Sequence, residues 1–345
     1  MTTALNPSSA PVTGWDIGGV NLKAARLDQA GLRTVQRPFA IWQRRGELVD
    51  ALGQMAQELG PAPQAAVTIT AELSDAFRTK REGVTFVLAA LETALPDTNL
   101  HIFGVDGRFY PLALAHEQPL LFAAANWLAT ALLVARHVPD CLLVDIGSTT
   151  TDITPIVGGE VVAGGRTDPE RLLRGELLYT GALRTPVFAV VRQVPLWGRW
   201  CPVAAEWFAT MQDVYLWLER VTSEQATSPS ADGRPTSLDF CGERLARVVC
   251  ADREMLSAAD ITTLARYVAQ VQAQQIAGAL AQVRSATPVE GPVVGVGIGA
   301  FLAEQAARQF ELPFIQPIDL LGEPGLVTAP AAAVALLLAG QPTDV

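Results

Sequence analysis

Residues 142–154 read LLVDIGSTTTDIT, and residues 14–23 read GWDIGGVNLK. Each sets an apolar run ahead of Asp-Ile-Gly, then a turn of small residues, then a second run of strand formers. The pattern reads as strand, glycine turn, strand. In the first copy the strands are TGWDI and LKAARLD, and a third, LRTVQRPFA, follows a turn at Gly31. In the second copy they are DCLLVDIG, TTTDITPIV and EVVAGG. A lone Asp-x-Gly turn is common in many proteins. Two copies, each opening a three-strand meander and each followed by alternating helices and strands, predict two related α/β domains. The sequence places the first over residues 13–137 and the second over 138–345. It adds inserted segments at 164–186 and 222–240 and a flexible tail over 1–12.

The rest of the chain supports this organisation. In the first half, helices are predicted over 46–59 and 83–94, strands over 65–70 and 99–104, and one long apolar helix over 117–137. In the second half, VFAVVRQVPL reads as a strand and TSEQATSPSADGRPTS as an exposed loop. Helices follow over 238–250 and 257–284, then a strand, GPVVGVGIGA, feeds the helix FLAEQAARQF. The apolar run LVTAPAAAVALLLAG is too short to span a bilayer and reads as a buried C-terminal helix.

Composition excludes several classes of function. At 345 residues the chain exceeds one ordinary core, and half of it is hydrophobic. The net charge is −10 with no Lys/Arg run, which excludes a nucleic-acid partner. Cys141, Cys201, Cys241 and Cys250 form no CxxC pair and read as reduced thiols. His101, His116 and His137 are scattered, so no Ser-His-Asp or Cys-His grouping is assembled. The opening MTTALNPSSAPV has no basic or apolar signal region, and a cytoplasmic location away from membranes is expected. No heptad seam is evident, which leaves a homo-oligomer open.

The repeated phrase has a physical use. Glycine lets backbone N–H groups approach a ligand closely, and clusters of such groups bind phosphate oxygens. Gly18, Gly19 and Asn21 are the candidates in the first copy, and Gly147, Ser148, Thr149 and Thr150 in the second. The aspartates would repel a bare phosphate. They make sense beside Mg²⁺, which takes one or two carboxylates together with phosphate oxygens. Asp16 and Asp145 are therefore the expected metal ligands, flanking a metal–phosphate group in a cleft. Lys23 in one copy stands where Asp152 stands in the other, and Lys23 is a candidate for a phosphate oxygen. A third element, VVGVGIGAF, offers Gly295, Gly297 and Gly299 ahead of a helix N-terminus, suited to a phosphate or a flat ring.

Three glycine-rich elements in this order resemble the superfamily of acetate and sugar kinases, Hsp70 and actin. DIGSTTTDI is close to the version in its hydantoinase/oxoprolinase branch. The resemblance implies two ribonuclease-H-like domains around a central cleft, with VVGVGIGAF as an adenosine loop. TAELSDAFRTKREGV, AANWLATA, GGRTDPERLLRGELLYTGALRTPV and ADGRP…RLARVVCAD resemble a smaller family, linked to tetrahydromethanopterin one-carbon transfer, over about residues 14–340. That family's activity lies in methanofuran biosynthesis. It implies transfer of an (aminomethyl)furanmethyl group from its diphosphate to a phenol oxygen of a glutamylated tyramine or tyrosine-type acceptor, with release of diphosphate.

Such chemistry needs Mg²⁺ and cationic or N–H donors on the leaving diphosphate, a base for the phenol, and exclusion of water. It does not require ATP, which stays open as a ligand. TAELSDAFRTK follows a strand, where α/β sites form, and offers Glu72, Asp75 and Lys80. Glu72 is the candidate base, Asp75 a partner for the aminomethyl ammonium, and Lys80 a partner for the diphosphate. GELLYTGALRTP offers Glu176, Tyr179 and Arg184, the last for a carboxylate or phosphate and Tyr179 for stacking on an aromatic ring. Two other classes fit the same loops: an ATP-dependent small-molecule kinase or hydantoinase-like ATPase, and a non-catalytic nucleotide switch.

Overall fold

The computed structural model describes residues 10–340. The expected tail over 1–12 therefore falls largely outside the described residues, and Val12 already begins a strand. Contacts divide the chain into two compact units. One comprises residues 1–141, 154–170 and 316–345, and the other 142–153 and 171–315.

The first unit is built on a six-stranded sheet. β1 (Val12–Gly18), β2 (Asn21–Asp28) and β3 (Gly31–Pro38) form the antiparallel meander. β4 (Gln64–Thr70) joins β1 in parallel, β5 (Asn99–Phe103) joins β4 in parallel, and β6 (Phe109–Pro111) closes the edge antiparallel to β5. The order is β3-β2-β1-β4-β5-β6. β1 is central and six of its seven residues are buried, which is why it reads as an apolar run without alternation. The Leu48–Leu59 helix covers one face with Leu48, Leu52, Met55 and Leu59, spaced at helical period.

The predicted C-terminal helix forms over Ala329–Ala339 and is buried on nearly every side. The sequence assigned it to the second half, yet it packs on β1. Gly14 makes this approach close: a Cβ there would lie 2.0 Å from the Ala331 carbonyl oxygen.

One expectation in this unit fails. The apolar run over 117–137 is not a single helix. A 3₁₀ turn spans Pro119–Phe122, and a helix restarts only at Asn126, running to Ala135. Between them Ala123 bridges Ile69 in parallel, and the Ala124 N–H donates to the Ile69 carbonyl at 3.1 Å. Satisfying the end of β4 holds Ala124 at φ +54°, outside the right-handed helix, and this breaks the run.

In the second half, β7 (Cys141–Ile146), β8 (Thr151–Val157), β9 (Glu160–Val161) and β10 (Leu177–Leu178) come first. β11 (Gln193–Leu196) and β12 (Arg199–Pro202) form a separate hairpin, and β13 (Val293–Val296) and β14 (Phe314–Ile315) complete the main sheet. Its order is β10-β8-β7-β13-β14, with β9 also on β8. β13 lies parallel to β7 and to β14. The strands in order of the chain thus repeat one scheme, β3-β2-β1-β4-β5 in one sheet and β9-β8-β7-β13-β14 in the other. This is the ribonuclease-H-like order in each half.

VFAVVRQVPL is not one strand. Val187–Val190 form a helical turn after Pro186, and only Gln193–Leu196 are extended. Val187, Val190, Val191 and Val194 are all buried, so a mixed turn and strand satisfies the same apolar residues. The hairpin turn places Trp197 at φ +48° and Gly198 at φ +74°, the left-handed pair that a two-residue hairpin connection favours. The segment 222–240 is also less free than its polarity suggests. Asp232 accepts from Arg234 at 2.8 Å, Arg247 at 3.0 Å and the fully buried Arg244 at 3.1 Å. Arg244 in turn donates to buried Asp213 at 2.7 Å.

Gly14→Ala is expected to lower the unfolding free energy by about 3 kcal/mol, because the C-terminal helix must move off β1. Gly46→Ala, where an added Cβ meets nothing within 4 Å, is the control that leaves the denaturation midpoint unchanged.

Candidate active site

In the first unit, charged residues gather at the C-terminal ends of β1 and β4. The β1–β2 register sets Asp16 opposite Lys23. Lys23 Nζ lies 3.5 Å from Asp16 Oδ2, and the Thr70 hydroxyl donates to Asp16 Oδ1 at 3.3 Å. Asp16 is buried, and burial raises its pKa against the opposing effects of Lys23 and Thr70. The Gly18–Gly19 turn folds against the chain leaving β4. A Cβ on Gly19 would meet Ser74 Cβ at 3.8 Å and Ala71 Cα at 4.0 Å.

Glu72 follows β4 and is 2% exposed. Its Oε1 lies 3.9 Å from Lys80 Nζ, while its Oε2 accepts no hydrogen bond among the described residues. The Oδ1 atom of buried Asn21 is also unpaired among them. Buried acceptors are normally satisfied by protein or by water. Burial lifts the Glu72 pKa from 4.5 to about 7. Lys80 opposes the rise, and Asp168 and Asp16 add to it. Lys80 is the first residue of the Lys80–Ala94 helix, whose N-cap Thr79 accepts from the Glu82 N–H. The closest partner of Lys80 is Asp168, with Nζ to Oδ2 at 2.5 Å. Asp75, by contrast, is exposed on the loop.

The second unit gathers its own residues. The loop after β7 is closed by the Gly147 N–H donating to the Thr150 carbonyl at 2.9 Å. Residues 181–184 lie directly on it. Ala182 N–H donates to the Gly147 carbonyl at 2.9 Å, and the N–H groups of Leu183 and Arg184 donate to that of Ser148 at 3.1 and 2.8 Å. Gly181 permits this, since a Cβ there would lie 2.6 Å from the Thr149 nitrogen. Arg184 Nη1 is 3.5 Å from Thr149 Oγ1, which sets a cation on the loop. Behind the loop, Tyr215 donates to Gln272 at 2.5 Å, and Gln272 donates to Thr180 Oγ1 at 2.8 Å and the Gly181 carbonyl at 2.9 Å.

The three glycines of VVGVGIGAF each answer a packing demand. An added Cβ would lie 2.5 Å from the Phe314 ring at Gly295 and 2.4 Å from the Ile146 carbonyl at Gly297. At Gly299 it would lie 2.3 Å from the Ile146 side chain. Gly297 also has φ +82° and would press a Cβ within 2.7 Å of Asp145 Oδ1, so this turn walls the Asp145 carboxylate. Along the Ala300–Gln309 helix, a cavity of about 420 Å³ is lined by Tyr215, Arg220, Arg266, Phe301, Gln305 and Arg308 among others.

The sequence-selected residues thus separate. Asp16, Lys23, Glu72 and Lys80 meet in the first unit, and Ser148, Thr149 and Arg184 in the second. Tyr179 is 66% exposed, and the buried Glu176 is met through its backbone carbonyl, which accepts from Ile153 and Arg171. Asp152 pairs with buried Arg171 at 2.5 Å. Reading the sequence missed Arg171 and Asp168. Both lie in the flagged segment 164–186, in the short helix Asp168–Arg174, but nothing local names their partners.

For magnesium, no group of three His, Cys, Asp or Glu side chains among the described residues could hold an ion. A magnesium ion that arrives with a phosphate group keeps its own waters and takes only one or two carboxylates. Beside Asp16 the cation present is Lys23, so a metal reaching this carboxylate displaces the ammonium.

A family model described as Hydantoinase/oxoprolinase matches residues 64–341. The (4-{4-[2-(gamma-L-glutamylamino)ethyl]phenoxymethyl}furan-2-yl)methanamine synthase of Methanocaldococcus jannaschii is 32% identical over 331 residues, covering 96% of this chain and 98% of that one. The chain belongs to this synthase family within the hydantoinase/oxoprolinase group. The synthase of the same name from Methanococcus vannielii is 30% identical over 206 residues, covering 59% of this chain and 92% of that one. A nucleotide-free acetone carboxylase structure matches at TM-score 0.52 and 10% identity, over 93% of this chain and 70% of that one, and it supports the fold alone. Among the described residues, no helix of this family member is long and apolar enough to cross a membrane.

The Glu72 environment makes a stability prediction. The folded protein keeps a proton on Glu72 that the unfolded chain releases above pH about 4.5. The stabilisation is full below that pH and is lost as pH rises through about 7. Glu72→Gln is expected to remove this decline, worth roughly 3 kcal/mol at most. Denaturant midpoints at pH 5 and pH 8, for wild type against variant, check it.

Proposed function

We propose that this chain joins an (aminomethyl)furanmethyl diphosphate to the phenol oxygen of a γ-glutamyl tyramine or related tyrosine-type acceptor. The observation that supports the reading most directly is Glu72: buried, close to neutral in pKa, and with one oxygen unpaired among the described residues. The name of the Methanocaldococcus jannaschii relative describes a phenoxymethyl-furan, a product whose ether oxygen comes from a phenol.

In this reaction the C–O bond to diphosphate breaks, and both electrons leave with the diphosphate. The furan ring delocalises the positive charge that develops on the methylene carbon. The phenol oxygen forms the new C–O bond, and its proton passes to Glu72 Oε2. A phenol of pKa near 10 needs such a base to attack at neutral pH, and a base near 7 has both the vacancy and the strength. Water has to be kept from the furan cation, which it would otherwise capture, and Glu72 and Asp16 are both buried.

The diphosphate is assigned to the Asp-Ile-Gly loops and their cations. Each unit offers its own phosphate ligands: Lys23 of β2 beside the first loop, and Arg184, Ser148 and Thr149 at the second. Asp16 in the first unit and Asp145 in the second are each a proposed carboxylate for magnesium, which when bound would neutralise a departing diphosphate. Asp75 is assigned to the substrate ammonium, because it is exposed on the loop that leads to Glu72. Tyr179 and Glu176 are assigned to the acceptor.

A nucleotide is the second reading. It is favoured by the arginine-lined cavity beside Phe301 and by the glycine turn before the Ala300–Gln309 helix.

Purified protein with Mg²⁺, the furan diphosphate and γ-glutamyl tyramine is expected to release diphosphate and form the ether without ATP. Ether formation that needs ATP, or ATP hydrolysis with no diphosphate release, contradicts the reading. Glu72→Gln is expected to lower kcat by about 100-fold or more. Arg184→Ala is expected to weaken catalysis by about 100-fold, chiefly through stabilisation of the leaving group.

A further inference from the structure

Lys80 is contested by two carboxylates, and the distances are unequal. Its Nζ lies 2.5 Å from Asp168 Oδ2 and 3.9 Å from Glu72 Oε1. The nearer carboxylate is the more exposed one, at 21% against 2%. Electrostatics alone would favour the opposite arrangement, because an uncompensated buried carboxylate costs more than one in contact with water. The local fold decides otherwise. Asp168 stands in the first turn of the Asp168–Arg174 helix, and Lys80 starts the Lys80–Ala94 helix.

We propose that Asp168 is the positioning residue of the Glu72 site: by binding the Lys80 ammonium it holds that cation off Glu72 and leaves the buried Oε2 without a protein partner among the described residues, so that it can take the proton of the phenol. The inference rests on the reading of Glu72 as the base. Without Asp168, the nearest partner for the Lys80 ammonium among the described residues is Glu72. A closed Lys80–Glu72 pair would make Glu72 a weaker base and would direct its oxygens to nitrogen. The charged groups around Glu72 are Lys80 and Asp168 from the two helices and Asp16 from β1, the last paired with Lys23 of β2. Removing Asp168 deletes one of the two anions that add to burial in raising the Glu72 pKa, and it brings the Lys80 cation closer. Both changes favour the ionised carboxylate.

The test is the pH dependence of kcat for diphosphate release in wild type, Glu72→Gln, Asp168→Asn and Asp168→Glu. Wild type is expected to show an acid limb near pH 7, and Glu72→Gln to lack it. Asp168→Asn is expected to move the limb down by about one pH unit and to lower the plateau rate several-fold, as a weaker base must. Asp168→Glu, which retains the anion, is expected to restore the wild-type limb. A limb that survives in Glu72→Gln overturns the base assignment and this inference with it. A limb lost in Glu72→Gln but unmoved in Asp168→Asn overturns the role of Asp168 alone. So does an equal rate loss without a shift in both Asp168 variants.

Discussion

A carboxylate held almost wholly out of water, with a lysine near but not upon it, is the constraint on which the rest of the site depends. Burying Glu72 as a carboxylate costs free energy unless it is fully paired, so burial holds a proton on it up to about pH 7. Lys80 is drawn toward Asp168, and one Glu72 oxygen accepts nothing among the described residues. The surrounding fold must hold this arrangement. β4 places Thr70 against Asp16 and delivers Glu72 two residues later. Gly83 lets the Lys80–Ala94 helix seat against Glu72, since a Cβ there would lie 2.6 Å from the Glu72 Cα. The resulting base has a proton affinity close to neutral, the range in which general-base catalysis is effective.

The two halves use the same strand order for different chemistry. In the first, Asp16 meets Lys23 across the β1–β2 hairpin, so the loop carries its own cation. In the second, the matching position is Asp152, which is committed to buried Arg171, and the cation comes from Arg184 instead. The glycines are likewise divided. Gly181 and Gly297 are required by backbone packing against the second loop and the end of β7, while Gly19 stands in roomier surroundings. The same motif letters therefore mark close packing at some positions and open backbone at others.

Much of this was legible from residue order. The repeated Asp-Ile-Gly phrase disclosed both meanders, because alternating apolar strands around glycine turns leave a period that local physics can decode. Glu72 and Lys80 were legible as a group because they follow a strand directly. Asp168 was not: its partner lies 88 positions away, and only the tertiary fold joins them. The break at Ala124 was hidden for the same reason. The run from 117 to 137 is apolar enough for a helix, but the backbone need of Ile69 overrides its propensity. Residues 187–196 were ambiguous in their own pattern, which suits a turn and a short strand as well as one long strand.

The central claim is that Glu72 shares its proton with solvent near neutrality, and infrared titration of its carboxyl measures this directly. The difference spectrum between wild type and Glu72→Gln isolates the protonated carbonyl band. The account predicts that this band is full at pH 5, falls to half near pH 7 and is gone by pH 9. A Glu72 already ionised at pH 5 would contradict it.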